Sequence, residues 1–101
     1  MNEGLKNPIT NFHEVFNGMC TGTVIIPPNT KFVNSGMLLK DVILEENSVF
    51  VNNGTVDGNI LGSGIVEVFG IVRGSITGPK EIIIHKNAMV SGIKYNTEER
   101  R

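Results

Sequence analysis

The chain has one cysteine, no tryptophan and no excess of either charge, and each shortage excludes something. With Cys20 alone no internal disulfide can form, which suits a reducing compartment. Nine Lys and Arg stand against ten Asp and Glu, without a basic stripe. Nucleic acid is therefore not expected as a partner, because phosphate binding rests on clustered cations. Apolar runs such as Ile82–Ile84 are far too short to span a bilayer. The Met1–Pro8 stretch has no apolar core of the signal-peptide kind, so a cytoplasmic location is expected. Aromatics make up only 6% of residues, so any core must be built from aliphatic side chains. At 101 residues the chain is one domain, in which a compact core would be marginal.

Glycine, valine and isoleucine are plentiful, and they recur in a pattern. Ser48–Leu61 lies on Thr30–Ile43 when moved back by 18 residues, so that Phe50 meets Phe32, Asn52 meets Asn34, Gly54 meets Gly36, Val56 meets Leu38 and Ile60 meets Val42. A move of 36 brings Asn53–Leu61 onto Asn17–Ile25. A step forward of 16 finds Val66, Gly70, Val72, Gly74 and Ile76, and a further 18 finds Ile84, Ala88, Val90 and Gly92. A unit recurring about every 18 residues marks a solenoid, in which each coil buries its apolar face only by stacking on its neighbours. Val and Ile favour strand, so the fold expected is all-β: a parallel β-helix of about five three-sided coils. An antiparallel meander would also place turns about every nine residues, as Asn-Gly hairpins do. However, Phe-x-Asn-x-Gly returns only at 18, which a parallel coil explains and a meander does not.

Three inward ladders are expected: Phe32, Phe50, Val66 and Ile84; Cys20, Leu38, Val56, Val72 and Val90; Val24, Val42, Ile60 and Ile76. Corners are expected at Gly18, Gly36, Gly54, Gly70 and Ala88, and at Gly22, Gly58, Gly74 and Gly92, with Gly supplying positive φ. Asn17, Asn53 and Asn87 before the first set tolerate that conformation too. The coil over residues 62 to 77 is two residues short, a deletion expected in a corner loop. Residues 1 to 16 stand apart. Phe12, Val15 and Phe16 have helical spacing, and Asn11 with Glu14 has the form of a capping box. A short capping helix, or else an irregular first coil, is expected there, followed by β-helix over 17 to 95 and a polar tail over 96 to 101.

Gly54-Thr-Val-Asp-Gly-Asn-Ile60 and Gly70-Ile-Val-Arg-Gly-Ser-Ile76 resemble the repeated Gly-x-Val-x-Gly-x-Ile of bactofilins, the polymer-forming bacterial cytoskeletal proteins. The resemblance covers about residues 17 to 93. It implies a triangular right-handed β-helix whose monomers join end to end without bound nucleotide. The long Pro-rich tails and the apolar N-terminal segment of many members are missing from this sequence, and Leu39-Lys40 breaks the Gly pattern. A weaker resemblance is to hexapeptide-repeat acyltransferases, since 18 is three sixes. The small residue expected after each aliphatic is replaced by Leu61, Glu67, Arg73, His85 and Ser91.

Candidates for chemistry are few. His85 lies one coil above Glu67, so an outward cross-coil pair is expected, of little worth at a solvated surface. Asp57 and Arg73 are expected to pair in the same way. His13 belongs to the capping segment. Cys20 shares an inward column and reads as a small buried hydrophobe. Cys20, His13 and His85 lack metal-site spacing, and no glycine cluster precedes a helix to cradle phosphate. No enzymatic activity, cofactor or metal is therefore expected.

What remains is surface. Val33, Leu39, Val51, Leu61, Phe69, Ile71 and Ile83 should point outward or lie at corners. The open ends of a β-helix are unpaired strand edges. Ile82, Ile84 and Val90 at one end, and Phe12 and Phe16 at the other, are the expected interface residues. The function expected is a self-assembling scaffold, in its simplest form a homo-oligomer; the alternative is a small binding protein, such as an inhibitor or immunity protein, that blocks one protein partner.

Overall fold

The computed structural model describes residues 14–94, which form thirteen strands. The first coil carries β1 (Glu14–Phe16), β2 (Met19–Cys20) and β3 (Val24–Ile26). The second carries β4 (Lys31–Asn34), β5 (Met37–Leu38) and β6 (Val42–Leu44), and the third β7 (Val49–Asn52), β8 (Thr55–Val56) and β9 (Ile60–Gly62). The fourth has β10 (Ile65–Val68) and the long β11 (Ile71–Thr77), and the last β12 (Glu81–Ile84) and β13 (Met89–Lys94). Every pairing is parallel and joins one coil to the next. The fold is thus a β-solenoid with three faces. The first face is the sheet β1-β4-β7-β10-β12; the other two are joined where β11 runs through the second corner. No helix occurs among the described residues.

The second and third ladders stand as the spacing predicts: Cys20, Leu38, Val56, Val72 and Val90 are in register, as are Val24, Val42, Ile60 and Ile76. The first needs one correction. Phe32, Phe50 and Val66 are followed by Ile82, not by Ile84, which stands above Val68. The step on this face is 18 from Phe32 to Phe50 and 16 at each of the next two, to Val66 and to Ile82. The deletion lies in the third corner, where Glu45–Ser48 shrinks to Ser63–Gly64. A four-residue first corner, His85–Ala88, then restores the spacing of 18 between Val72 and Val90.

The core is a column of aliphatic side chains between Val24 and Ile76, all essentially solvent-free, with Phe32 and Phe50 stacked at a centroid distance of 6.0 Å. Ile26, Leu44 and Val68 add to it. Inside the first corner, two further buried side chains are polar. Asn34 and Asn52 are fully buried, and Asn34 Nδ2 donates to Asn52 Oδ1 at 2.9 Å. Asn52 Nδ2 donates in turn to the Ile71 carbonyl at 2.9 Å, while each Oδ1 accepts from the backbone N–H of the glycine two residues on, Gly36 or Gly54. Each amide therefore satisfies its own corner and bridges to the next, as buried polar groups require.

Two expectations about the corners are corrected. Positive φ occurs at Asn29 and Asn47, both at 62°, and at Gly62 and Gly78, all in the third corner region, rather than in the Gly36–Gly54–Gly70 column. The glycines of that column are needed for close approach: a Cβ on Gly54 would fall on the Gly36 carbonyl oxygen, and one on Gly36 on that of Gly18. The expected capping helix is also replaced. Glu14–Phe16 is a strand in register with Phe32–Asn34, because a parallel neighbour offers backbone hydrogen bonds that one isolated helical turn lacks. Phe12, like His13 and Asn11, lies outside the described residues.

Candidate interaction surface

The chain turns inward the residues at alternate strand positions, so the remaining positions form outward columns with the same rung spacing. On the first face these are Lys31, Val49, Ile65 and Glu81, and beside them Val15, Val33, Val51, Glu67 and Ile83. On the second, Met19, Met37, Thr55, Ile71 and Met89 stand one above another. On the third, the column is Ile25, Ile43, Leu61 and Thr77. Among the expected outward residues, Phe69, Ile71 and Ile83 are exposed, and Val33, Leu39 and Leu61 are half-buried. Val51 is the exception. It is buried at 7% exposure, because it stands mid-sheet between Val33 and Glu67. Val15, with 52% exposure, belongs to this outward set rather than to a helix. The methionine column was signalled in the sequence only by position, one residue before each member of the second inward ladder.

The ends differ from the middle. Ile84 is 37% exposed although Val68 directly below it is sealed, and Ile93 is 38% exposed above a fully buried Ile76. Ile82 and Val90 are partly buried against the core. At the opposite end Phe16 and Cys20 are likewise only partly covered, which corrects the reading of Cys20 as buried. Its Sγ lies 3.5 Å from the Gly22 carbonyl. Both terminal rungs have a stacking neighbour on one side only among the described residues. The predicted interface residues Ile82, Ile84 and Val90 thus share one end of the solenoid, and Phe16 lies at the other.

The two predicted surface pairs are present. Arg73 Nε lies 2.9 Å from Asp57 Oδ1, with the side chains 64% and 38% exposed. His85 Nε2 lies 2.7 Å from Glu67 Oε2, but not from the position expected: Ile83 stands above Glu67, and His85, one residue past the Val68–Ile84 pair, stacks its ring on Phe69 at 3.9 Å and 9° and reaches Glu67 diagonally. Both pairs clip one coil to the next. Among the described residues no three His, Cys, Asp or Glu side chains gather as a metal site would require, and no helix is long and apolar enough to cross a membrane. Among the described residues the exposed large apolar side chains lie chiefly at the two end rungs and in the outward columns. No family model, curated protein or solved structure matches this chain.

Proposed function

We propose that this is a non-enzymatic, self-assembling structural protein whose copies join through the ends of the solenoid, the role that the resemblance to bactofilins implies. The observation that supports it most is the exposure of Ile84 and Ile93 in the last coil, directly above positions that are sealed one rung lower. A further rung would cover both. Among the described residues the outer edges of β12 and β13 at that end, and of β1, β2 and β3 at the other, have no neighbouring strand, and such edges tend to pair with another chain. A heterologous contact between unlike ends repeats without closing and gives an open filament. Light scattering against protein concentration tests the proposal. Growing assemblies are expected, and Ile84→Lys or Val90→Lys should shift them to smaller species at some cost in stability. A wild-type protein that stays monomeric at high concentration, with its last coil folded, would overturn it.

A second reading, a small protein that binds one partner, draws on the second face. Met19 and Met89 are 63% and 65% exposed, and Ile71 is 37% exposed in the same column. Methionine adapts to irregular apolar partners. A discrete monomer or dimer in the scattering measurement favours this reading.

A further inference from the structure

We infer that the first face carries a second contact between copies of this chain, a face-to-face pair related by a two-fold axis. The face presents an outward column that begins with a cation and ends with an anion: Lys31, Val49, Ile65, Glu81. Its neighbour places Val33 beside Lys31 and Ile83 beside Glu81. Lys31 and Glu81 are exposed, and neither takes part in an ion pair among the described residues. They stand three rungs apart, about 14 Å at the usual strand spacing.

That arrangement is self-complementary in one register. A two-fold axis along the strands, midway between the Val49 and Ile65 rungs, lays Lys31 of each copy on Glu81 of the other. The same operation lays Val33 on Ile83 and Val49 on Ile65, keeps the strands of the two sheets aligned, and leaves the usual inter-sheet gap for side chains. Glu67 then faces Val51, but its carboxylate is held back by His85 at 2.7 Å. Neighbouring registers fail. An axis one half-step lower, on the Val49 rung, sets Lys31 against Ile65 and Val33 against Glu67. One half-step higher, Glu67 meets its own symmetry mate and Glu81 meets Val49. Charge complementarity therefore selects both the occupant, a second copy, and its position.

Five strands of about four residues give a face of roughly 300 Å² in plan, well under the ~800 Å² per partner of a standard stable interface. A single pair is thus weak. If copies also stack end to end, the contact repeats along the assembly and gains by multivalency. Pairing through this face does not require end stacking, because the face exists on each copy.

The test uses the full chain with Lys31→Glu, Glu81→Lys and both changes together, by sedimentation equilibrium at low salt, or by assembly width in electron microscopy where filaments form. Each single reversal turns two attractive contacts into two repulsive ones and should raise the dissociation constant about tenfold, or split double-width assemblies into single ones. The double variant should restore wild-type association. Mixing the two single variants should restore it too, since each carries one charge sign throughout the column and so complements the other. Circular dichroism establishes that every variant is folded. If the single reversals associate like wild type, or if neither the double variant nor the mixture recovers, the pairing is wrong.

Discussion

Asn52→Val removes the centre of the buried amide pair while nearly preserving volume, and it copies what the next coil already holds at Val68. Three hydrogen bonds are lost: from Asn34 Nδ2 at 2.9 Å, from the Gly54 N–H at 3.2 Å and to the Ile71 carbonyl at 2.9 Å. Gly54 N–H keeps a second acceptor, the Asn34 carbonyl at 3.0 Å, and Asn34 Nδ2 keeps weaker contacts to Gly36 and Thr55. The loss therefore comes to about 1 kcal/mol per bond, some 3 kcal/mol in total, rather than the larger figure for fully orphaned buried groups. For a domain of this size that lowers Tm by roughly 12–24 °C, since 1 kcal/mol corresponds to about 4–8 °C. Thermal melts followed by far-ultraviolet circular dichroism read this directly. The double variant Asn34→Val/Asn52→Val sharpens the test. The bond between the two amides is counted in both single changes, so the double should cost about 1 kcal/mol less than their sum. A Tm within about 4 °C of wild type for Asn52→Val, or strict additivity in the cycle, would refute the linked amide ladder.

The remaining predictions use the same melts. Gly54→Ala puts a methyl on the Gly36 carbonyl oxygen and should cost more than about 2 kcal/mol, whereas Gly22→Ala, with nothing within 4 Å, should stay within about 0.5 kcal/mol. Equal melts for the two would show that rung contact at the corner is not what requires glycine. Val56→Asp, fully buried between Leu38 and Val72, should abolish the cooperative transition. Val51→Asp, at 7% exposure and next to Glu67, should cost about 2 kcal/mol yet still fold; indistinguishable melts would mean the inward and outward phases are misassigned. Arg73→Ala should change stability by less than about 1 kcal/mol, because its pair with Asp57 is solvated; a larger loss would show that this clip holds the coils together.

Most of the architecture was legible because a solenoid repeats its instructions. Leu38, Val56 and Val72 share a column and a chemistry, and so do Val42, Ile60 and Ile76, so spacing alone set their register. Register was lost at Ile84. The run Glu81-Ile-Ile-Ile84 offers an aliphatic residue at a step of either 16 or 18 from Val66, and only the pairing of Val66 with Ile82 decides between them. Phe12, Val15 and Phe16 suggested a helix because i, i+3, i+4 spacing over so short a stretch is shared by chance; for Val15 and Phe16 a neighbouring strand decides the matter. Asn34 and Asn52 were visible as a repeat, but nothing in composition marks an asparagine as buried when its partner is another corner amide. The corner glycines were found for an incomplete reason: positive φ is a local property, whereas the approach of Gly54 to Gly36 belongs to two stacked coils. Of the candidate surface, the pair Asp57–Arg73 followed from column arithmetic, but Glu67–His85 did not: Ile83 stands above Glu67, and the same register error as at Ile84 hid that His85 stands above Phe69 and reaches Glu67 diagonally.

The most direct test of end-to-end assembly is cryo-electron microscopy of the pure protein over a range of concentrations. Filaments are expected in which strand rungs about 4.8 Å apart run unbroken across the junction between copies, with Ile84 and Ile93 covered there. Discrete particles of one or two copies at every concentration, with the Ile82–Ile93 coil folded and its outer edge bare, would contradict it.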